Sequence, residues 1–248
     1  MEVLPIKTPV LTEGDDLAGL LAKEVREGDI IVVSSKAVAT VEGAAMNLSE
    51  YTPSPQAIEL SQGHGPLKSP AFYEAVLQET ARMNGSVIHA NYGVALTELH
   101  PDGMEGCFLV PNAGLDMSNI AEGCVIGWPR NPVASVKTLQ KELGEIGIIL
   151  SDSGLSPRRR GVTAFAICCA GIDPIVSMID APDLFGNNLH VTEEAVADQL
   201  ATAGNAIMGN ADQCIPAAII RNHGYTRSDF CGFVPGIERG KDLYHGVI

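Results

Sequence analysis

Five short apolar runs constrain this chain most: IIVVSS (30–35), CFLV (107–110), IGIIL (146–150), GVTAFAICCAG (161–171) and PAAII (216–220). Their Val and Ile content and their length suit buried strands. None approaches the ~18 apolar residues that a membrane span needs, so no membrane partner is expected. Between them lie segments with helical period. Leu17, Leu20, Leu21 and Val25 recur at helical spacing behind Asp15 and Asp16, either of which can cap orphan N–H groups, and Gly28 stops the helix. AFYEAVLQETARM (71–83), VASVKTLQKELGE (133–145) and VTEEAVADQLATAGNAIMG (191–209) predict further helices, the last with Thr192 near its start and Gly209 at its end. SVIHANYGVALTEL (86–99) predicts one or two strands, KAVATVEGA after IIVVSS a loop, and 52–69 a connection with room for one helical turn. The tail, 222–248, has no clear period. Helices and strands alternate without a regular strand–helix–strand rhythm, so the expected fold class is α+β or mixed α/β. The 248 residues form a single unit, or two subdomains split near 52–70.

Charge and cysteine usage narrow the function. A net charge of −14 argues against a nucleic-acid binder, which needs a basic face. An anionic substrate stays open, because a local basic cluster or a metal overrules the global sign. The six cysteines form no C-x-x-C pair, so a zinc site of the usual spacing is not expected, and Cys168 and Cys169 read as buried small hydrophobes. MEVLPIKTPV lacks a basic region followed by an apolar core, and a reducing, cytoplasmic setting is expected. The Rossmann fingerprint, the P-loop, H-E-x-x-H and G-x-S-x-G are all absent.

Polar clusters follow three apolar segments, where a sheet rim lets side chains converge on a ligand. Asn112, Asp116 and Asn119 come after CFLV; a carboxylate with amide neighbours suits magnesium or manganese, and the same residues suit a plain turn. Ser151-Asp152-Ser153 comes directly after IGIIL and suits a metal–phosphate complex or a cap. Arg158, Arg159 and Arg160 follow, able to clamp phosphate or carboxylate, or to stand solvated in a loop. Met208, Gly209, Asn210, Ala211, Asp212 and Gln213 close the long helix; such a loop can trace phosphates with backbone N–H groups, and Asp212 is a further metal candidate.

The order of these clusters resembles the coenzyme F420-0:γ-glutamyl ligase family. EGDDLAGLL looks like its GDDL-plus-helix opening, and SSKAVATVEG its serine-lysine and Glu-Gly stretch. PNAGLDMSN is similar to its NAG-[IV]-D-x-SN, and SDSGLSPRRRG to its T-D-T-x-G-R-x-x-R. DLFGNNLHVTEEAVADQLATAGNAIMG resembles its D-x-[YF]-G-x-x-L helix ending in M-G, and PAAIIRN its closing strand. The resemblance spans roughly residues 4–222. It implies a GTP-dependent ligase that adds L-glutamate to the F420-0 carboxylate through an acyl phosphate. Magnesium or manganese, with potassium as helper, would assist. It also implies an intertwined homodimer with the family's own fold, and the small-molecule partners GTP, L-glutamate and a deazaflavin coenzyme. By resemblance Asp116, Asp152 and Arg159 are catalytic, and Asp116, Asp152 and Ser153 hold metal. Thr8, Pro9, Val10, Leu11, Ser35, Lys36, Thr40, Asn119 and residues Met208, Gly209, Asn210, Ala211 and Asp212 would meet the nucleotide. The chain departs from the pattern at Thr40 (lysine in the family), Ser156 (arginine), Gln199 (glutamate) and Asn210 (acidic). Two other readings compete: the same chemistry on a folate-like or other pterin-like acceptor, and a nucleotide- or metal-binding protein that does not ligate.

Overall fold

The computed structural model describes residues 1–63 and 68–247. In chain order the helices are α1 (Leu17–Leu21), α2 (Ser35–Val41), α3 (Pro55–Leu60), α4 (Pro70–Arg82), α5 (Pro132–Leu143) and α6 (Val196–Met208). The strands are β1 (Glu2–Ile6), β2 (Ile30–Ser34), β3 (Met46–Asn47), β4 (Ser86–Asn91), β5 (Val94–Leu99), β6 (Phe108–Pro111), β7 (Cys124–Val125), β8 (Gly147–Leu155), β9 (Val162–Ile172), β10 (Val176–Ser177), β11 (Glu193–Glu194), β12 (Ala217–Arg221) and β13 (Arg227–Phe233).

Six strands form the main sheet in the order β1-β12-β2-β8-β9-β13. Only β2 and β8 run parallel; every other pair is antiparallel. The fold is therefore mixed α/β, in line with the expected class. Strands covered on both faces read as unbroken apolar runs rather than alternating ones. Ile30, Val32 and Ile149 pack on one face with Val196, Ala197, Leu200 and Ala201 of α6. Ile31, Val33, Ile148 and Leu150 face the other way, toward α1, α4, α5 and the antiparallel β4-β5-β6 sheet.

Several local expectations need correction. KAVATVEGA is not a loop: α2 starts the moment β2 ends, because Ala37, Val38 and Ala39 find buried places beyond the end of the strand. Asp152 and Ser153 do not lie past a strand end; β8 runs on to Leu155 as one arm of a hairpin with β9. The long helix opens at Val196 rather than near Thr192, since Glu193 and Glu194 pair with β10. The period-free tail supplies β13, and the N-terminus supplies β1; both are edge strands whose register comes from the neighbour. Helix α1 is short, with Asp16 accepting from Gly19 N at 2.8 Å as its cap. The 52–69 connection contains α3, and its residues 64–67 lie outside the described ones.

Candidate functional site

Strand directions bring distant segments to one end of the sheet. The last residue of β2, Ser34, pairs with Ser151 in the parallel ladder. Antiparallel β12 begins beside that point, with Pro216 O accepting from Ser34 N at 2.9 Å. Antiparallel β1 ends there too, Ile6 opposite Ala217. Thr8, Ser35, Lys36, Asp152 and the 209–215 loop thus share one rim, although up to two hundred residues separate them in sequence. Ligands in open α/β sheets bind at such a rim, where parallel neighbours diverge. Here β2 turns off into α2 while β8 continues.

A β-bulge sharpens the divergence. Leu150 pairs with Cys168 and Ser151 with Ala166, so Ile167 is the extra residue. The bulge shifts the side-chain alternation where the buried strand becomes the site. Ala166 N is satisfied by the Asp198 carboxylate of α6 at 2.8 Å.

PNAGLDMSN crosses this rim. Asn112, Ala113 and Gly114 all take positive φ, a tight left-handed corner that costs free energy at the first two. Asn112 stabilises it from inside: it is buried, and its Oδ1 accepts from Ala95 N at 3.0 Å. It is therefore a turn-builder, apart from Asp116 and Asn119. Gly114 lies against the indole of Trp128; a Cβ there would come 2.6 Å from Trp128 Nε1. That N–H donates to Asp152 Oδ2 at 2.7 Å. Trp128 itself is buried edge-on against Phe108, with centroids 5.4 Å apart. The corner, the indole and the carboxylate form one stack.

Asp116 follows, its backbone paired both ways with Ile126. Lys36 Nζ donates to Asp116 Oδ2, to Ser118 O at 2.9 Å and to Ser118 Oγ at 2.8 Å. Ser118 also donates to the carboxylate from its hydroxyl (2.6 Å) and its backbone N–H (2.9 Å). Burial opposes the Asp116 charge, but the Lys36 and Ser118 bonds outweigh it and hold the carboxyl below its ordinary value. Asp152 goes the other way. Burial pushes its carboxyl up, against the bonds from Trp128 and from Ser153 N, and the Asp116 charge adds to the rise. Two carboxylates that feel each other and are driven in opposite directions form a pattern that clusters at functional sites.

The remaining predicted residues fall into place around them. Asn119 Nδ2 donates to Ala211 O at 2.9 Å, and Ser153 Oγ to Asn210 Oδ1 at 3.0 Å. Thr8 N donates to Cys214 O at 3.1 Å. Gly209, at positive φ, turns the chain out of α6 after Met208, and Gln213 accepts from Ala211 N. Pro9, Val10 and Leu11 line a cleft of about 430 Å³ with Thr12, Asp16 and Lys23. Thr40 sits one turn after Lys36 on α2, hence on the same helical side. Arg159 is not brought in: with Arg158 and Arg160 it is exposed in the β8–β9 turn, and no hydrogen bond joins it to Asp116 or Asp152 among the described residues. Asp212 is exposed and makes no side-chain bond among them.

Sequence reasoning missed three contributors. Trp128 and Ser118 orient the two carboxylates. Lys68 stands within the field of Asp116, its ammonium over the Phe72 ring at 4.5 Å, and burial lowers its pKa while Asp116 opposes that. The lone tryptophan in IGWP and the serine of PNAGLDMSN were the available signals.

Comparison with known proteins now bears on this geometry. The model of the F420-0:Gamma-glutamyl ligase family matches residues 5–222. The chain belongs to that family. Relatives named coenzyme F420:L-glutamate ligase agree along nearly the whole length. That of Methanothermobacter thermautotrophicus is 35% identical over 95% of this chain and 94% of its own. That of Archaeoglobus fulgidus is 34% identical over 89% and 87%, and that of Methanopyrus kandleri 34% over 96% and 89%. Asp116 and Asp152, the two carboxylates that the fold brings together at the rim, lie within the matched span. No helix among the described residues is long and apolar enough to cross a membrane.

Proposed function

We propose that the chain is a GTP-dependent ligase that joins L-glutamate to the carboxylate of coenzyme F420-0. One observation carries the reading. In a chain of this family, Lys36, Asp116, Asp152 and the 209–214 loop converge on one sheet rim. A carboxylate is a poor electrophile, and phosphorylation supplies a leaving group. The acceptor's carboxylate oxygen attacks the γ-phosphorus of GTP, forming an acyl phosphate as GDP departs. The glutamate amine then attacks the acyl carbon; the C–N bond forms, phosphate leaves with the C–O electron pair, and the amine proton passes to water.

The donor set fits a hard divalent cation. Asp116, Asp152 and the Ser153 hydroxyl are oxygen ligands, and the Asn210 amide oxygen adjoins Ser153 Oγ. Magnesium or manganese would be held there, with potassium as a helper, and when bound would neutralise charge on the transferring phosphoryl group. Lys36 keeps Asp116 ionised and aimed, and lies close enough to Asp152 for its charge to favour that carboxylate too. Asn119 pins the 209–214 loop through Ala211 O, so its backbone N–H groups are ordered before phosphates arrive. Free thiols at all six cysteines suit a reducing cytoplasm. A second copy of the chain would cover Leu184, Phe185 and Val191, which stand 100%, 90% and 86% exposed around the β10–β11 arm.

The test is a mass-spectrometric assay with GTP or ATP, manganese or magnesium, L-glutamate and F420-0 or a reduced folate. A gain of one glutamyl unit on F420-0 with GTP, abolished in Asp116→Asn and Asp152→Asn, is expected. A gain on the folate alone moves the acceptor assignment. No gain on either, with nucleotide still bound, refutes the ligase reading.

A further inference from the structure

Away from the rim, the end of β5 and the turn that joins it to β6 gather three side chains of mixed donor type. Glu98 Oε, a His100 ring nitrogen and Cys107 Sγ all lie within 4.8 Å of one another. We propose that Glu98, His100 and Cys107 form a binding site for a borderline-soft divalent cation of the zinc type. The composition argues for this class: thiolate and imidazole favour zinc over magnesium, whereas the rim offers only oxygen.

The bonding pattern supports it. His100 Nδ1 lies 3.3 Å from Gly106 O, and His100 Nε2 lies 3.1 Å from Glu98 Oε1. A neutral ring has one N–H for these two acceptors. With that proton on Nδ1, bonded to the carbonyl, the Nε2 lone pair faces a carboxylate lone pair. Either a second ring proton, which makes an imidazolium–carboxylate pair, or a cation between them resolves the conflict, and a backbone carbonyl behind the ring is the usual outer partner of a metal-bound histidine. The other Glu98 oxygen, Oε2, is 3.9 Å from Arg239, which leaves Oε1 for the site. Tetrahedral zinc donors stand about 3.3–3.8 Å apart, a contraction that side-chain rotation supplies. Binding releases the Cys107 thiol proton to solvent, so affinity rises with pH.

The location suggests what the cation does. Cys107 Sγ lies 3.6 Å from Ile237 O, and Gly236 N donates to Glu105 O at 2.9 Å. Gly106 packs so tightly on Gly236 that a Cβ has no room. A cation here would clamp the 100–107 turn, on which the C-terminal segment packs.

Cobalt titration of the chelator-stripped full chain tests this, with excess magnesium present to occupy the rim. One cobalt per chain with a thiolate-to-cobalt charge-transfer band is expected, and zinc should displace it. The band should persist in a Cys214→Ser/Cys231→Ser variant and vanish in Cys107→Ser. His100→Ala should weaken binding by at least the roughly 10–100-fold that even an outer partner is worth. Zinc should also raise the melting temperature of the natural chain and not of His100→Ala. Absence of the band, its survival in Cys107→Ser, or equal affinity in His100→Ala overturns the assignment. Because no readout involves ligation, failure here is distinct from failure of the ligase reading.

Discussion

Replacing Gly114 with alanine tests the stack that connects PNAGLDMSN to Asp152. Gly114 has φ +76, where an alanine costs about 1–2 kcal/mol. The new Cβ would stand 2.6 Å from Trp128 Nε1 and 2.9 Å from Cε2, so one of them must move by several tenths of an ångström. The indole cannot move freely: it is 3% exposed and wedged between Phe108 and Phe165. Overpacking of this sort costs about 1–3 kcal/mol. If the indole tilts, its N–H also leaves Asp152, a bond to a charged group worth about 1.5–3 kcal/mol. The first two costs alone sum to about 2–5 kcal/mol, before any loss of the indole bond. At roughly 2–4 °C per kcal/mol for a chain of this size, the melting temperature should fall by about 4–20 °C. Trp128 is the only tryptophan, so its emission reports the displacement directly. A melting temperature within about 2 °C of the natural chain's, with unchanged emission, would refute the argument. Trp128→Phe separates the two parts, keeping the ring and deleting the donor. Removing that donor lets burial lift the Asp152 carboxyl further. A raised carboxyl contributes stability at low pH that is lost as pH rises through its folded value. The Trp128→Phe deficit should therefore grow from pH 4 to pH 8.

Asp29→Asn should lower the melting temperature at pH 7 by several degrees. Asp29 is buried and accepts two bonds from Arg221, at 2.8 and 2.7 Å, plus Arg26 N. Burial works against its charge, yet these bonds prevail and hold the carboxyl below its ordinary value. Its contribution is present above the unfolded value near pH 4 and is lost as pH falls through the folded one. The deficit should thus shrink as pH falls below the ordinary carboxylate range; a deficit that stays constant there would sink the linkage. Thiol labelling of the native protein should reach the exposed Cys214 and Cys231 first. Cys168 and Cys169 should react only on unfolding, since both are fully buried and burial raises the Cys169 thiol to about 12. Early labelling at either, read by peptide mass mapping, would contradict the covered central sheet.

Local chemistry made much of this legible. IIVVSS, IGIIL and PAAII read as strands, because short unbroken apolar runs rich in Ile and Val suit burial on both faces of a sheet. Asp116, Asp152, Asn119 and the loop after Gly209 stood out as polar groups beside apolar runs, and the rim gathers all of them. Other features were illegible for physical reasons. β1 and β13 are edge strands, specified by a neighbour's hydrogen bonds rather than by their own pattern. Helix α2 looked like a loop because its short sequence has ordinary propensity and is held by packing. Asn112 suited a ligand or a plain turn in the sequence and proved a buried turn residue, since nothing local says which way an amide points. Lys36 reaches across eighty residues to Asp116, and Trp128 across twenty-four to Asp152. Sequence by itself determined the central strands β2, β8, β9 and β12, the helices α4, α5 and α6, and which polar residues lie beside them, because hydrophobic period and turn chemistry act over a few residues. Only the tertiary structure decided which carboxylate stays charged and which is pushed toward its proton, because that depends on burial and on partners that the sheet order brings from far along the chain.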